Sequence, residues 1–295
     1  MGFAPLNPSY TRISMQDAYA HCEALVRAAD KDRFLAGLYA PTAKRAHLFA
    51  LYAFAHEIAR VSEVARQPMA GEIRLQWWRD AILGERWGEG LANPVAAALL
   101  ATIRDYALPT APLIALIDAH AFDLYDEAMP GVAELDSYAA RTAGALFTLG
   151  ARILGGTDEP ATAAAAAPAG IAFAVAQRLH TFPHDVARRQ FFVPLDLLTQ
   201  HGVTREEIEA RHNTAGLRSA LAALREHARA AFDQLRSLAR AVPDSCAPAF
   251  LPAATVPRLL ARLEAASADP FVIVEVPQWR RQWAIWRAAR KWPVL

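Results

Sequence analysis

The chain has 295 residues, of which 54% are hydrophobic and 21% are charged, and its formal net charge is +1 at pH 7. This balanced charge predicts no strong attraction to nucleic acid. The high apolar fraction indicates a large core, an apolar cavity or a membrane contact. Cys22 and Cys246 lie far apart without a CxxC spacing, which argues against a disulfide framework or zinc site and fits a reducing compartment.

The N-terminus lacks a basic start followed by an apolar run, so no secretory signal is predicted. Ser14 followed by Asp17 resembles a capping box and predicts a first helix that runs towards Ala29. Apolar periodicity and the positions of proline and glycine predict further helices at 42–67, 68–84, 94–105, 112–127, 135–154, 161–179, 205–211, 217–241 and 257–266. We therefore divide the chain into an N-terminal segment, residues 1–29, and one helical domain, residues 30–295.

Two segments differ from the rest of the chain, one by its high apolar content and one by its strand-like composition. The hydrophobic stretch 161–176 is too short and too weakly apolar to predict a helix that spans a bilayer. The strand-like run 271–276 lies between two prolines and has no second strand to pair with, so it predicts an extended linker.

The last predicted helix, 278–292, carries Trp279, Trp283 and Trp286 on one side, and arginine and lysine on its other sides. Such a helix is typical of a bilayer interface or of a segment that fills a partner's groove. In the alternative interpretation, the three tryptophans pack on the protein's own core.

Histidines give two weak metal-site patterns. His56-Glu57 opens an HExxH-like sequence, but Arg60 stands where the second histidine would be. His180 and His184 have the spacing of ligands on one helix face, yet the proline between them predicts a disturbed helix, and we interpret the pair as structural or exposed. An acidic group on the predicted helix 112–127 is interpreted as a solvated face; its members are Asp123, Asp126 and Glu127.

Four short motifs in chain order resemble those of the squalene/phytoene synthase family: ALYAF at 50–54, Asn-Pro-Val at 93–95, Tyr138 with Gly144, and Phe-Val-Pro at 192–194. The likeness extends over roughly residues 30–286. It implies an all-α, single-domain bundle of the isoprenoid-synthase type around a central apolar cavity. In that cavity, the family's enzymes condense two prenyl diphosphates head to head.

The same resemblance implies two acidic helix walls that hold Mg²⁺, because departure of a diphosphate leaves negative charge that oxygen-ligated Mg²⁺ must neutralise. The family's first motif, DDxxD, begins here with Ala59-Arg60 and ends with Glu63. Its second motif, DxxxD, begins with Thr181 and ends with Asp185. One acid is left on each wall, so we expect neither a bound metal cofactor nor three-metal condensation.

Positions carried over from the family, together with the face that a helical turn of 100° per residue creates, predict the ligand-binding residues. Arg60 is expected to bring positive charge to a cation position and to pair with Glu63, Asp185 or a phosphate. The predicted ligand-binding residues are Tyr52, His56, Ala59, Arg60, Tyr138, Gln177, Thr181 and Arg188.

The runs 53–57 and 71–79 resemble the branch of the family that includes a mitochondrial assembly factor for respiratory complex I and its bacterial counterparts. This resemblance implies a non-catalytic protein that binds an isoprenoid or lipid-like ligand or a protein partner, in the assembly of a respiratory membrane complex. The implied location is the cytoplasm or the surface of the inner membrane, as a peripheral protein. Two alternatives are an active prenyl transferase that uses Mg²⁺ with Glu63 and Asp185, and a peripheral membrane scaffold.

Overall fold

The computed structural model describes residues 13–65, 67–85, 90–155 and 160–293. Within these ranges every regular element is helical, which confirms the predicted all-α class. In chain order the α-helices are α1 Met15–Ala29, α2 Lys31–Gly37, α3 Thr42–Ala59, α4 Val61–Val64, α5 Pro68–Leu83, α6 Pro94–Tyr106, α7 Thr110–His120, α8 Val132–Ala139, α9 Ala145–Ile153, α10 Pro160–Ala187, α11 Leu195–Gln200, α12 Arg205–Glu209, α13 Ala215–Leu238, α14 Ala247–Phe250, α15 Val256–Ala265 and α16 Gln278–Lys291.

Helix α10 lies at the centre of the bundle and packs against α8, α9, α13 and α15. It also crosses a π-helical segment, Ala140–Gly144, at very short range. A Cβ atom added to Gly170 would lie 2.6 Å from both the N and Cα atoms of Gly144. Only a glycine lets the two backbones come this close.

The observed α10 is longer than the predicted helix 161–179 because it continues through Pro183. Proline removes one N–H donor and normally disturbs a helix. Here the buried side chains of Phe182, Pro183 and Val186 hold the last turns against the core. Among the described helices, α10 alone is long and apolar enough to cross a membrane, but 61% of its most apolar stretch is buried inside the protein.

The predicted helix 112–127 is wrong at its C-terminal end. Helix α7 stops at His120, a 3-10 turn covers Phe122–Leu124, and Tyr125 is extended with φ −117° and ψ 152°. The chain leaves the helix because the next residues pair with a distant segment: the Met129 N–H donates to the Phe191 carbonyl at 2.9 Å. This turn carries Asp123 into the interior.

The segment before the last helix forms no strand, in agreement with the prediction, and it is attached to the core. Val274 is buried, and its carbonyl lies 2.7 Å from Nε2 of His180. Phe271 packs on Phe182 with ring centroids 5.5 Å apart. His180 therefore holds the linker in place and does not form a ligand pair with His184.

Candidate functional site

The first wall of the candidate site runs from the core to the surface. Tyr52 is buried in α3, and burial raises the pKa of its hydroxyl to about 12. His56 is half-buried, and burial, together with the charge of Arg60, lowers its pKa. Helix α3 ends at Ala59, so Glu63 lies on the separate short helix α4. The predicted single face is thus broken between Ala59 and Glu63.

The second wall lies on the last turns of α10. The Thr181 hydroxyl donates to Oδ2 of Asp185 at 2.8 Å, and Nη1 of Arg178 lies 3.9 Å from the same oxygen. Burial raises the pKa of Asp185, although the charge of Arg178 opposes the shift. The acid that remains on this wall is therefore buried and already has a cationic partner.

Arg178 is the centre of a buried polar network between α7, α8 and α10. Its Nη2 donates to the Tyr138 hydroxyl at 2.7 Å and lies 3.8 Å from Oδ2 of Asp123. The Tyr138 hydroxyl donates in turn to Asp123 at 3.1 Å, and Nδ1 of His120 lies 2.7 Å from Asp123. The guanidinium group also stacks 3.5 Å above the centre of the Phe192 ring. This network fixes one cation between two carboxylates, those of Asp123 and Asp185.

The protonation of this network follows from its contacts. Burial, reinforced by the neighbouring Asp123, raises the pKa of Tyr138, so the hydroxyl keeps its proton. Burial opposes the charge on Arg178, but Tyr138, Asp123 and Asp185 together raise its pKa. The positive charge of Arg178 is therefore permanent.

The acid of the first wall is also paired. Nη1 of Arg188, which follows α10, donates to Oε1 of Glu63 at 3.0 Å. Nε of Arg60 lies 4.0 Å from Oε2 of the same carboxylate. Of the partners expected for Arg60, the structure thus provides Glu63. Arg188, which the family positions predict to bind a ligand, joins the two walls directly.

The donors at the two walls do not fit a cluster of Mg²⁺ ions. Mg²⁺ takes near-octahedral oxygen ligands, and the site offers one carboxylate per wall, each with an arginine nitrogen 3.0 or 3.9 Å away. Throughout the described ranges, no three His, Cys, Asp or Glu side chains come together in a way that could hold a metal ion. Arginine charges stand beside both of the remaining acids.

A mostly apolar cavity of about 10 Å³, which is room for about one water molecule, lies beside Arg178. Its lining includes Arg178, Asp185, Phe182, Phe191, Phe192 and Val193. Gln177 faces elsewhere: it lines a separate cavity of about 50 Å³ with Asp32 and Arg281. The structure therefore brings Tyr138, Thr181 and Arg188 to the two walls but leaves Gln177 outside them.

The sequence patterns did not identify Arg178, Asp123 or His120 as site residues. The prediction that Asp123 belongs to a solvated face is wrong, because the chain turns inward after His120 and buries its carboxylate. One local signal was available. A histidine and an aspartate three residues apart, with the aspartate between Phe122 and Leu124, indicate a polar pair inside an apolar environment.

Comparison with known proteins gives a consistent set of relatives. The family model for squalene/phytoene synthase matches residues 26–287. A Mus musculus protein named NADH dehydrogenase (ubiquinone) complex I, assembly factor 6, is 29% identical over 254 residues, which are 86% of this chain and 76% of that protein. A presqualene diphosphate synthase from Sinorhizobium fredii is 24% identical over 192 residues, 65% of this chain and 68% of its own. A squalene synthase structure from Alicyclobacillus acidocaldarius matches with a TM-score of 0.74 and 25% identity, covering 89% of this chain and 99% of that one.

Proposed function

The chain belongs to the squalene/phytoene synthase family, and from this premise we propose that it is a non-catalytic member that acts by binding. The observation that carries the proposal is the pairing of both wall acids with arginine, Glu63 with Arg188 and Asp185 with Arg178. An enzyme that ionises a prenyl diphosphate must gather divalent cations beside the leaving group. Here only a few carboxylates are available for this role, and each lies within ion-pair distance of an arginine.

The proposed ligand, an isoprenoid or another lipid-like molecule with an anionic head, would bind beside Arg178, where the cavity of about 10 Å³ would have to widen to admit it. Phe182, Phe191 and Phe192 give the cavity an apolar wall, and the guanidinium of Arg178 lies at its edge. Arginine recognises phosphate and carboxylate groups through its planar set of donors. A ligand of this kind would place its chain against the phenylalanines, and its head would compete with Asp123 and Asp185 for the donors of Arg178.

We also propose that this binding serves the assembly of a respiratory membrane complex, through a contact with one of its subunits. The support is the similarity to complex I assembly factors, which extends over most of this chain.

In the organism that encodes the chain, deletion of its gene should lower the amount of assembled NADH dehydrogenase on native gels to less than about half. Because no chemistry is required, the Glu63→Gln/Asp185→Asn variant should restore assembly as well as the unchanged protein. Failure of an equally abundant variant to restore it would contradict a non-catalytic role.

The purified protein should not turn over farnesyl or geranylgeranyl diphosphate with Mg²⁺ above the rate without protein. The physical reason is the shortage of free carboxylates for the metal ions. Product release would be followed by chromatography, with an active presqualene diphosphate synthase as the matched positive control. Turnover that Glu63→Ala or Asp185→Ala abolishes would refute the proposal.

A second candidate function is an active prenyl transferase with fewer metal ions. The observation in its favour is the nearly full-length likeness to a squalene synthase structure. In that case Glu63 and Asp185 would hold Mg²⁺ together with phosphate oxygens. The turnover assay separates the two candidates directly.

A further inference from the structure

Helix α16 has two opposite faces of different character. With about 100° of rotation per residue, its buried face and its tryptophan face point in nearly opposite directions. The buried positions are small or aliphatic: Ala284, Ile285 and Ala288. The opposite stripe holds Trp279, Trp283 and Trp286, which are 63%, 43% and 44% exposed. The interpretation in which these tryptophans pack on the core is therefore wrong.

A buried ion pair fixes this orientation. Arg281 donates from Nε and Nη2 to the two oxygens of Asp32 in α2, at 2.9 and 2.6 Å. Asp32 is only 2% exposed. Beside this pair, Ile285 packs in a small apolar cluster with Ala36 and Leu251. Rotating the tryptophans inward would break both contacts.

The exposed side of α16 is strongly basic. The helix contains no acidic residue, and the guanidinium groups of Arg280, Arg287 and Arg290 lie 5.1–5.5 Å from the centres of neighbouring indole rings. A further arginine, Arg258 of α15, lies 4.7 Å from the Trp283 ring. Lys291 is also exposed. This basic helix contrasts with a chain whose net charge is only +1.

We propose that this tryptophan face, formed by Trp279, Trp283 and Trp286 with the surrounding basic residues, binds a membrane surface rich in anionic phospholipid. Tryptophan favours the water–bilayer interface, where its ring lies at the level of the headgroups. Arginine and lysine near an anionic leaflet add electrostatic attraction. A second copy that docks through the same face would bring like charge to it, so charge complementarity favours the lipid over such a dimer. The proposal does not depend on the function proposed above for the site beside Arg178.

Sedimentation with phospholipid vesicles tests the proposal. The protein should bind vesicles of phosphatidylcholine with phosphatidylglycerol at least about tenfold better than vesicles of phosphatidylcholine alone, and high salt should remove the difference. Trp279→Ala/Trp283→Ala/Trp286→Ala and Arg280→Glu/Arg287→Glu should each weaken binding to the anionic vesicles at least about tenfold. Brominated phospholipid should quench part of the tryptophan fluorescence of the unchanged protein.

Matched variants elsewhere on the surface serve as controls. Met69→Ala/Ile73→Ala removes two side chains that are 68% and 66% exposed on α5, and Arg240→Glu reverses an exposed charge beyond α13. These variants should bind as the unchanged protein does, and thermal unfolding should show that every variant is folded. No binding to anionic vesicles, or binding that survives both α16 variants, would overturn the proposal. In the former case the face would instead suit an acidic protein groove.

Discussion

Replacing Arg178 with methionine should lower the free energy of unfolding by about 3 kcal/mol, because the change leaves buried carboxylates without their cation. Asp123 and Asp185 have side chains that are only 6% and 10% exposed, and both lie within 4 Å of the guanidinium group. Methionine keeps the length and helix propensity of the side chain, so the loss reports the charge and its hydrogen bonds. Urea denaturation of the purified proteins measures the difference.

Arg188→Met is the matched control. Arg188 also pairs with a wall acid, but its side chain is 37% exposed and that of Glu63 is 51% exposed. Solvent screens such a pair, so its loss should cost less than about 1 kcal/mol. Equal losses for the two variants would contradict a structural role for the Arg178 network.

The Arg178→Met effect should also depend on pH. Burial raises the pKa of Asp185 in the folded protein, and without Arg178 only the weaker effects of the Thr181 hydrogen bond and the Arg188 charge oppose that shift. The folded variant then binds a proton more readily than the unfolded chain, so its stability falls as pH rises through the folded-state pKa. The difference between the variant and the unchanged protein should therefore be smaller at pH 5 than at pH 8.

Replacing Arg281 with methionine should lower the free energy of unfolding by about 3 kcal/mol, for the same physical reason at a different place. Asp32 is almost completely buried, and both of its oxygens accept from Arg281. The loss should be accompanied by undocking of α16 from α2. Amide hydrogen exchange should then be faster in Gln278–Lys291 than in the unchanged protein.

The neighbouring Arg280 provides the matched control, since its guanidinium lies over the exposed Trp279 ring. Arg280→Met should change stability by less than about 0.5 kcal/mol. An equally small loss of stability for Arg281→Met, with unchanged amide exchange in α16, would show that the Asp32–Arg281 pair does not orient the tryptophan face. The double variant Asp32→Asn/Arg281→Met should recover part of the loss, because it leaves no buried charge.

Many helix boundaries were readable from the sequence because local signals determine them. Asn93 caps α6 by accepting from two backbone N–H groups, and Pro94 follows at a position where its missing N–H costs nothing. Thr214 caps α13 by accepting from the backbone N–H of Leu217. The end of α7 was missed because a distant partner sets it: pairing with Phe191 draws the chain out of its helix.

The amino-acid sequence by itself determined the family, the all-α class and the loss of acids from both walls, because these depend on residue identity at positions along one chain. The tertiary structure decided what replaced those acids. Glu63 and Arg188 are separated by 125 positions, and Asp32 and Arg281 by 249, so no periodicity could pair them. It also decided that Asp123 is buried and that Trp279 is exposed. Burial depends on which faces meet when the helices pack, and a helical pattern alone leaves that choice open.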